Sequence, residues 1–469
     1  MSSAMRQFVS RIHFVGIGGV GMSGIAQVLL NLGFRVSGSD LKETELTRRL
    51  RRAGAAVRIG HRAANAAGAE VVVTSTAVAA DNPEVRAARA RGVPVVPRAA
   101  MLAELARLKK TVTVAGSHGK TTTTAMTAMA LQAAGADPTV IVGGQVANLG
   151  GGTARLGMGD YLVAEADESD GSFLSLFPLV AVVTNVDDDH LDHYGTMERL
   201  KAAFREHLRR LPFYGLAVVC ADDPNARALA KTAERPVATY GLSAAADWTG
   251  RLLAVPPRLS SRVATRLAVR HGGRRWGVLD LRVPGRHNAL NALAAVAAAD
   301  FLGMAPRKVA KGLAEFRGVG RRLERLGSAR GILFVDDYGH HPTEVRATVA
   351  AIRGSYAKGR RLVVVFQPHR YTRTRQLHRE FGPALRGADA AYVLPVYAAG
   401  EKPIAGISSA LIVASARRAG VKARPFTRAL DLACELAEGD VVLTLGAGDV
   451  WRVGHDLLKR LESGTLSNA

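Results

Sequence analysis

The sequence predicts an α/β protein built on parallel sheets, and three observations predict it. Short apolar runs alternate with helical stretches along most of the chain. Two glycine-rich loops each stand between such a run and a helix. The 469 residues correspond to about three domains. Strand–helix alternation favours parallel, doubly wound sheets because crossover helices cover the sheet faces. A composition of 48% hydrophobic and 22% charged residues can bury several cores and excludes a disordered chain. Two distant cysteines, Cys220 and Cys434, exclude a disulfide scaffold or cysteine-rich zinc module and fit a reducing compartment.

In chain order, residues 12–15 form an expected strand, followed by a glycine turn and a helix over about 22–32. Strands are expected at 34–38, 71–74 and 93–96, with Ala- and Arg-rich helices between them. Lys109-Lys110 precedes a fresh strand at 111–115, which sets a domain boundary there. A helix over 120–134 follows the second glycine turn. Strands at 161–164 and 180–184 each run into acidic residues. Residues 251–283 read as β-rich around Gly272-Gly273, and 288–301 as an Ala-rich helix. Strands at 332–335, 362–366, 391–394 and 441–445 define a third α/β unit. The expected domains are 1–109, 110–324 and 325–469.

The net charge of +23 invites a nucleic-acid reading, with an ATPase acting on DNA or RNA as the corresponding function. Its distribution argues against one. The three expected domains carry +9, +6 and +8, and no basic tail is present. The densest stretch, 251–286, holds nine arginines against Asp280 and reads as a solvated β-face. The exception is 160–192, with nine acids and no Lys or Arg. Glycines interrupt the first apolar run, so no signal peptide is expected, and no apolar stretch is long enough for a membrane helix. A cytoplasmic protein is expected.

Gly16-Ile17-Gly18-Gly19-Val20-Gly21 matches G-x-G-x-x-G in a strand–turn–helix setting. Its glycines permit close approach to a diphosphate at the helix N-terminus, and Asp40 is placed to meet a ribose hydroxyl. The motif does not say which nucleotide binds, so an NAD-dependent oxidoreductase is one reading of it. Gly116-Ser117-His118-Gly119-Lys120-Thr121-Thr122 resembles a P-loop. Its amides form a nest for phosphate, Lys120 reaches the terminal phosphates and Thr121 can ligate Mg²⁺. Val114 stands where the general pattern has its first glycine.

Glu165 to Asp170 and Asp187 to His190 follow strands and face the nucleotide side of such a domain. Their carboxylates suit Mg²⁺, which takes oxygen ligands together with phosphates. Asp336-Asp337-Tyr338-Gly339-His340-His341-Pro342 and Gln367-Pro368-His369-Arg370-Tyr371-Thr372-Arg373 also follow strands. Together they could bind a carboxylate and a phosphate.

These motifs in this order resemble the Mur ligases over nearly the whole chain. The resemblance rests on Gly16 to Gly24, Gly116 to Thr124, Glu165 to Asp170, Thr184 to His190 and Gly285-Arg286-His287-Asn288 with Asn291. Further along it rests on Gly320-Arg321-Arg322, Asp336 to Pro342, Gln367 to Thr374 and Tyr397 to Glu401. It implies a Rossmann-like N-terminal UDP-sugar domain, a P-loop central ATPase domain and a Rossmann-like C-terminal amino-acid domain. It implies an ATP-dependent ligase joining L-alanine to the carboxylate of UDP-N-acetylmuramate through an acyl phosphate, in peptidoglycan precursor synthesis. A recycling ligase using a preformed peptide is the alternative.

By the resemblance Gly16, Gly18, Gly19, Gly21, Met22, Ser23 and Asp40 serve the UDP-sugar. Gly116, Ser117, His118, Gly119, Lys120, Thr121, Thr122, Asn288, Asn291, Arg322 and Asp337 serve ATP. Thr121 would ligate Mg²⁺, and Glu165 and His190 would serve a second metal position, with Mn²⁺ as an alternative. Lys120, Glu165, His190, Arg322 and Asp337 form the catalytic set. Tyr338, His340, Arg370 and Arg373 form the alanine pocket. The expected partners are small molecules, not nucleic acid or membrane, in a monomer or homodimer.

Overall fold

The computed structural model describes residues 4–75, 77–189, 191–243, 245–259 and 261–463. Three sheets are present among them. The first is all parallel, in the order Ala56–Ile59, Arg35–Asp40, Arg11–Val15, Val71–Thr74 and Val95–Pro97. Arg11–Val15 lies at its centre because four of its five residues are buried.

The second sheet has ten strands. Its centre is Val180–Val183, Lys110–Ala115 and Tyr161–Glu165, all parallel. On one side Thr139–Val146 pairs with Tyr161–Glu165 and forms an antiparallel hairpin with Gly152–Arg155. On the other side Leu216–Cys220 and Val237–Gly241 lead to the β-rich extension of Trp248–Leu253, Thr265–His271 and Arg274–Leu281. The third sheet runs Glu324–Ala329, Ile332–Asp337, Val441–Leu445, Leu362–Phe366, Ala390–Val393 and Lys422–Pro425. Only its first pair is antiparallel among the described residues.

The chain divides into two compact units. The first comprises Met1–Leu253, Leu267–Asp280 and Leu290–Arg317, so the first sheet and nearly all of the second share it. Within it, the hydroxyl of Ser23, on helix Val20–Asn31, lies 3.5 Å from that of Thr153 on the hairpin. The second comprises Ala254–Arg266, Leu281–Ala289 and Gly318–Ala469. Its sheet begins at Glu324, so the expected break after residue 324 falls inside a strand.

Two helices explain their own composition. Helix Lys120–Ala133 is buried from Thr121 to Leu131. Two of its threonines offset the cost of buried hydroxyls by bonding backward: Thr124 donates to Lys120 O at 2.8 Å and Thr127 to Thr123 O at 2.8 Å. Helix Arg286–Phe301 is Ala-rich because Ala292 through Ala299 are buried on every face, so no polar stripe is needed. No helix among the described residues is long and apolar enough to cross a membrane.

Candidate active site

The second glycine loop joins strand Lys110–Ala115 to helix Lys120–Ala133. Gly116 has φ +133° and Gly119 φ +82°, values that L side chains rarely adopt. A Cβ at Gly116 would run into Thr184 Oγ1, and one at Gly119 would lie 2.9 Å from Asn291 Oδ1. The loop is therefore wrapped by its neighbours. Asn185 accepts from His118 N at 2.8 Å, and its amide donates to His118 O at 3.0 Å. Ser117 Oγ accepts from Asp187 N at 2.9 Å, and the His118 ring meets Asp187 at 3.0 Å.

Lys120 is the first residue of the helix and turns back over the loop. Its Nζ donates to Gly116 O at 2.8 Å and pairs with Glu168 at 2.9 Å. Burial opposes its charge, but Glu168, Asp167 and Glu165 together hold its pKa above the ordinary lysine value. Glu165 ends strand Tyr161–Glu165. It accepts from Thr121 Oγ1 at 3.1 Å and from Gly143 N at 2.6 Å. Burial pushes its carboxyl up, against the pull of Lys120. A desolvated carboxylate beside a threonine hydroxyl is an all-oxygen donor pair, the chemistry Mg²⁺ takes. His190, expected as a metal ligand, lies outside the described residues. Asn291 reaches the loop, whereas the Asn288 side chain donates to Pro284 O at 2.7 Å, just before the helix begins.

At the first glycine loop, Gly16 N and Ile17 N donate to Ser39 O at 2.8 and 2.9 Å. Two residues expected at the sugar, Asp40 and Ser23, are engaged within the chain. Asp40 uses both oxygens on backbone, accepting from Gly18 N at 2.8 Å and Lys42 N at 3.3 Å. A Cβ at Gly18 would lie 2.9 Å from that carboxylate, so the glycine admits Asp40 and Asp40 shapes the loop. Ser23 is buried and donates to Val20 O at 2.9 Å, which places it in helix packing beside Thr153. Gly19, Gly21 and Met22 do line a cleft of about 190 Å³.

Beneath the loop lies a buried polar network that sequence reasoning missed. Glu84 is fully buried and accepts from Ser39 Oγ at 2.5 Å, Asn65 Nδ2 at 2.7 Å and Arg62 N at 3.0 Å, and meets His13 Nε2 at 3.0 Å. Burial raises its pKa, but these four bonds outweigh it and hold the carboxyl at about 2.

In the second unit, Asp337 ends strand Ile332–Asp337 and is buried. It accepts from Leu323 N and Gly339 N, both at 2.8 Å, and from Thr348 Oγ1 at 3.1 Å. Burial still dominates and lifts its pKa to about 6. The Arg322 guanidinium lies 4.9 Å from the Tyr338 ring and 3.4 Å from Glu344. Tyr338 and His340 stand edge to face at 5.4 Å, His340 meets His369 at 5.7 Å, and His369 stacks on Tyr397 at 5.6 Å. Arg373 Nη1 lies 3.4 Å from His369 Nδ1. Arg370 sits at φ +71°, with its N–H donating to Tyr397 O at 2.8 Å. The structure thus gathers Tyr338, His340, Arg370 and Arg373 and adds His369 and Tyr397. Both extra residues stood in motifs already noted, but only the fold brings their rings together.

Comparison with known proteins gives consistent matches. Family models described as Mur ligase family, catalytic domain; Mur ligase middle domain; and Mur ligase, glutamate ligase domain match residues 11–110, 114–299 and 321–448. The chain is 50% identical over 464 residues to a UDP-N-acetylmuramate–L-alanine ligase of Geobacter sp. strain M21, covering 98% of this chain and 99% of the relative. It is 51% identical over 463 residues to one from Myxococcus xanthus, covering 98% and 96%. Among solved structures, a UDP-N-acetylmuramate–alanine ligase from Thermotoga maritima superposes with a TM-score of 0.81 at 34% identity, covering 97% and 100%. A murein peptide ligase from Psychrobacter arcticus shares the fold, with a TM-score of 0.70 at 22% identity, covering 98% and 100%.

Proposed function

Because the chain belongs to the Mur ligase family, we propose that it joins L-alanine to the carboxylate of UDP-N-acetylmuramate with cleavage of ATP. The observation that carries this reading is identity near 50%, end to end, with relatives bearing that activity in their names. The product is a peptidoglycan precursor, and the nucleotide substrates suit the cytoplasm.

The chemistry has two displacements. A carboxylate oxygen of the muramate attacks the γ-phosphorus, the bond to the β-phosphate oxygen breaks, and ADP leaves. The neutral amine of alanine then attacks the acyl carbon. A C–N bond forms, the C–O bond to phosphate breaks, and nitrogen loses a proton. The loop amides from Gly116 to Thr122 and the Lys120 ammonium would cradle the transferring phosphate, where preorganised positive charge counts most. Thr121 and Glu165 would hold Mg²⁺, their oxygens standing 3.1 Å apart. When bound there, Mg²⁺ supplies neutralisation of phosphate charge. Arg370 and Arg373 would bind the alanine carboxylate. The rings of Tyr338, His340, His369 and Tyr397 stand together beside them and would favour a small side chain.

An isotope tests the order of bonds. With ¹⁸O in the muramate carboxylate, one label per turnover is expected in the released phosphate. Unlabelled phosphate would contradict an acyl phosphate.

A further inference from the structure

Arg98 opens helix Arg98–Ala106, directly after Pro97. It was one of 63 basic residues in the sequence, and no motif singled it out. In the fold it stands between the first glycine loop and the acidic cluster. A Cβ at Gly21 would collide with its Nη1, so the last glycine of the loop makes room for this guanidinium. Its Nη2 lies 3.6 Å from Asp167. Two cavities share Arg98, Ala99 and Ser172. One opens on Gly19 and Gly21, and the other on Glu165 and Asp167.

An anion moving from the first loop toward Lys120 meets Asp167 and Glu165, and Lys120 is already paired with Glu168. A carboxylate on that path is repelled unless another cation screens it. Arg98 is that cation, and its planar fork can grip two oxygens of a phosphate or carboxylate.

We propose that Arg98 is a substrate-binding residue that receives anionic oxygens of the UDP-sugar, from its diphosphate or its lactoyl carboxylate, between the glycine loop and the acidic cluster. The proposal rests on the ligase reading above. The test titrates wild type, Arg98→Ala and Arg98→Lys with UDP-N-acetylmuramate and with UDP-N-acetylglucosamine, which has the diphosphate but no lactoyl carboxylate. The KM for ATP is measured alongside.

Arg98→Ala is expected to weaken UDP-N-acetylmuramate roughly 10- to 100-fold, the loss of one charge-assisted contact, with the ATP KM unchanged. Arg98→Lys recovers part of that loss. Equal weakening of both sugars assigns Arg98 to the diphosphate, and weakening of the muramate alone assigns it to the carboxylate. Unchanged binding of both sugars overturns the proposal. So does an equal rise in the ATP KM in both variants, which would make Arg98 part of the scaffold. Wild type that binds no UDP-N-acetylmuramate would instead strike the ligase reading.

Discussion

Lys120→Ala is expected to lower kcat by roughly 10³-fold or more while leaving UDP-N-acetylmuramate binding intact. The activity loss follows from placement. Lys120 heads the helix at the end of the second glycine loop, and its Nζ folds back onto Gly116 O. The sugar loop at Gly16 to Gly21 lies on a different sheet, so its affinity should not move. The same substitution carries a stability effect that has to be separated from chemistry. Glu168 is fully buried and pairs with Lys120 at 2.9 Å. Removing one partner of such a buried pair costs about 3–5 kcal/mol, because the other charge stays buried without this cation. The double variant Lys120→Ala/Glu168→Gln removes the buried carboxylate charge as well. It is expected to regain stability in urea denaturation but no turnover. Turnover returning with stability would show that Lys120 acts through folding alone.

Glu84→Gln is expected to destabilise the first sheet by roughly 3 kcal/mol at neutral pH, the value of a carboxyl held at about 2 against an ordinary 4.5. The sign fixes the pH dependence. The folded pKa lies below the unfolded one, so the stabilisation is complete above about 4.5 and is lost as pH falls toward 2. Wild type and Glu84→Gln should therefore converge in acid. The effect should reach the sugar loop, because Glu84 fixes Ser39, and Ser39 O holds the amides of Gly16 and Ile17. Hydrogen exchange at those two amides should speed up in the variant. Equal stability at pH 7 with unchanged exchange would contradict this account.

What the sequence made legible follows from burial. Strands Val71–Thr74, Leu362–Phe366 and Val441–Leu445 coincide with their expected bounds because each is a continuous apolar run. Edge strands Ala56–Ile59 and Lys422–Pro425 were invisible: each buries one residue, leaving no apolar signal to read. The hairpin of Thr139–Val146 and Gly152–Arg155 was missed as well, and its register shift disturbs a regular alternation.

The site divides in the same way. The two glycine loops were readable because a strand, a tight turn and a helix N-terminus must be adjacent in sequence. Glu168, Glu84 and Arg98 were not readable, because each works through partners far along the chain: Lys120, His13 and Asp167. Asp40 shows the converse. The motif places it correctly at the end of Arg35–Asp40, but Gly18 N takes its oxygen, which only the fold could reveal.

The reaction to be tested is amide formation between UDP-N-acetylmuramate and L-alanine. The direct measurement is phosphate release from ATP and UDP-N-acetylmuramate, compared across L-alanine, glycine, L-serine and a preformed tripeptide. Release that requires the muramate and is fastest with L-alanine is the predicted result. Release with the tripeptide alone would contradict the claim and assign the chain to peptide recycling.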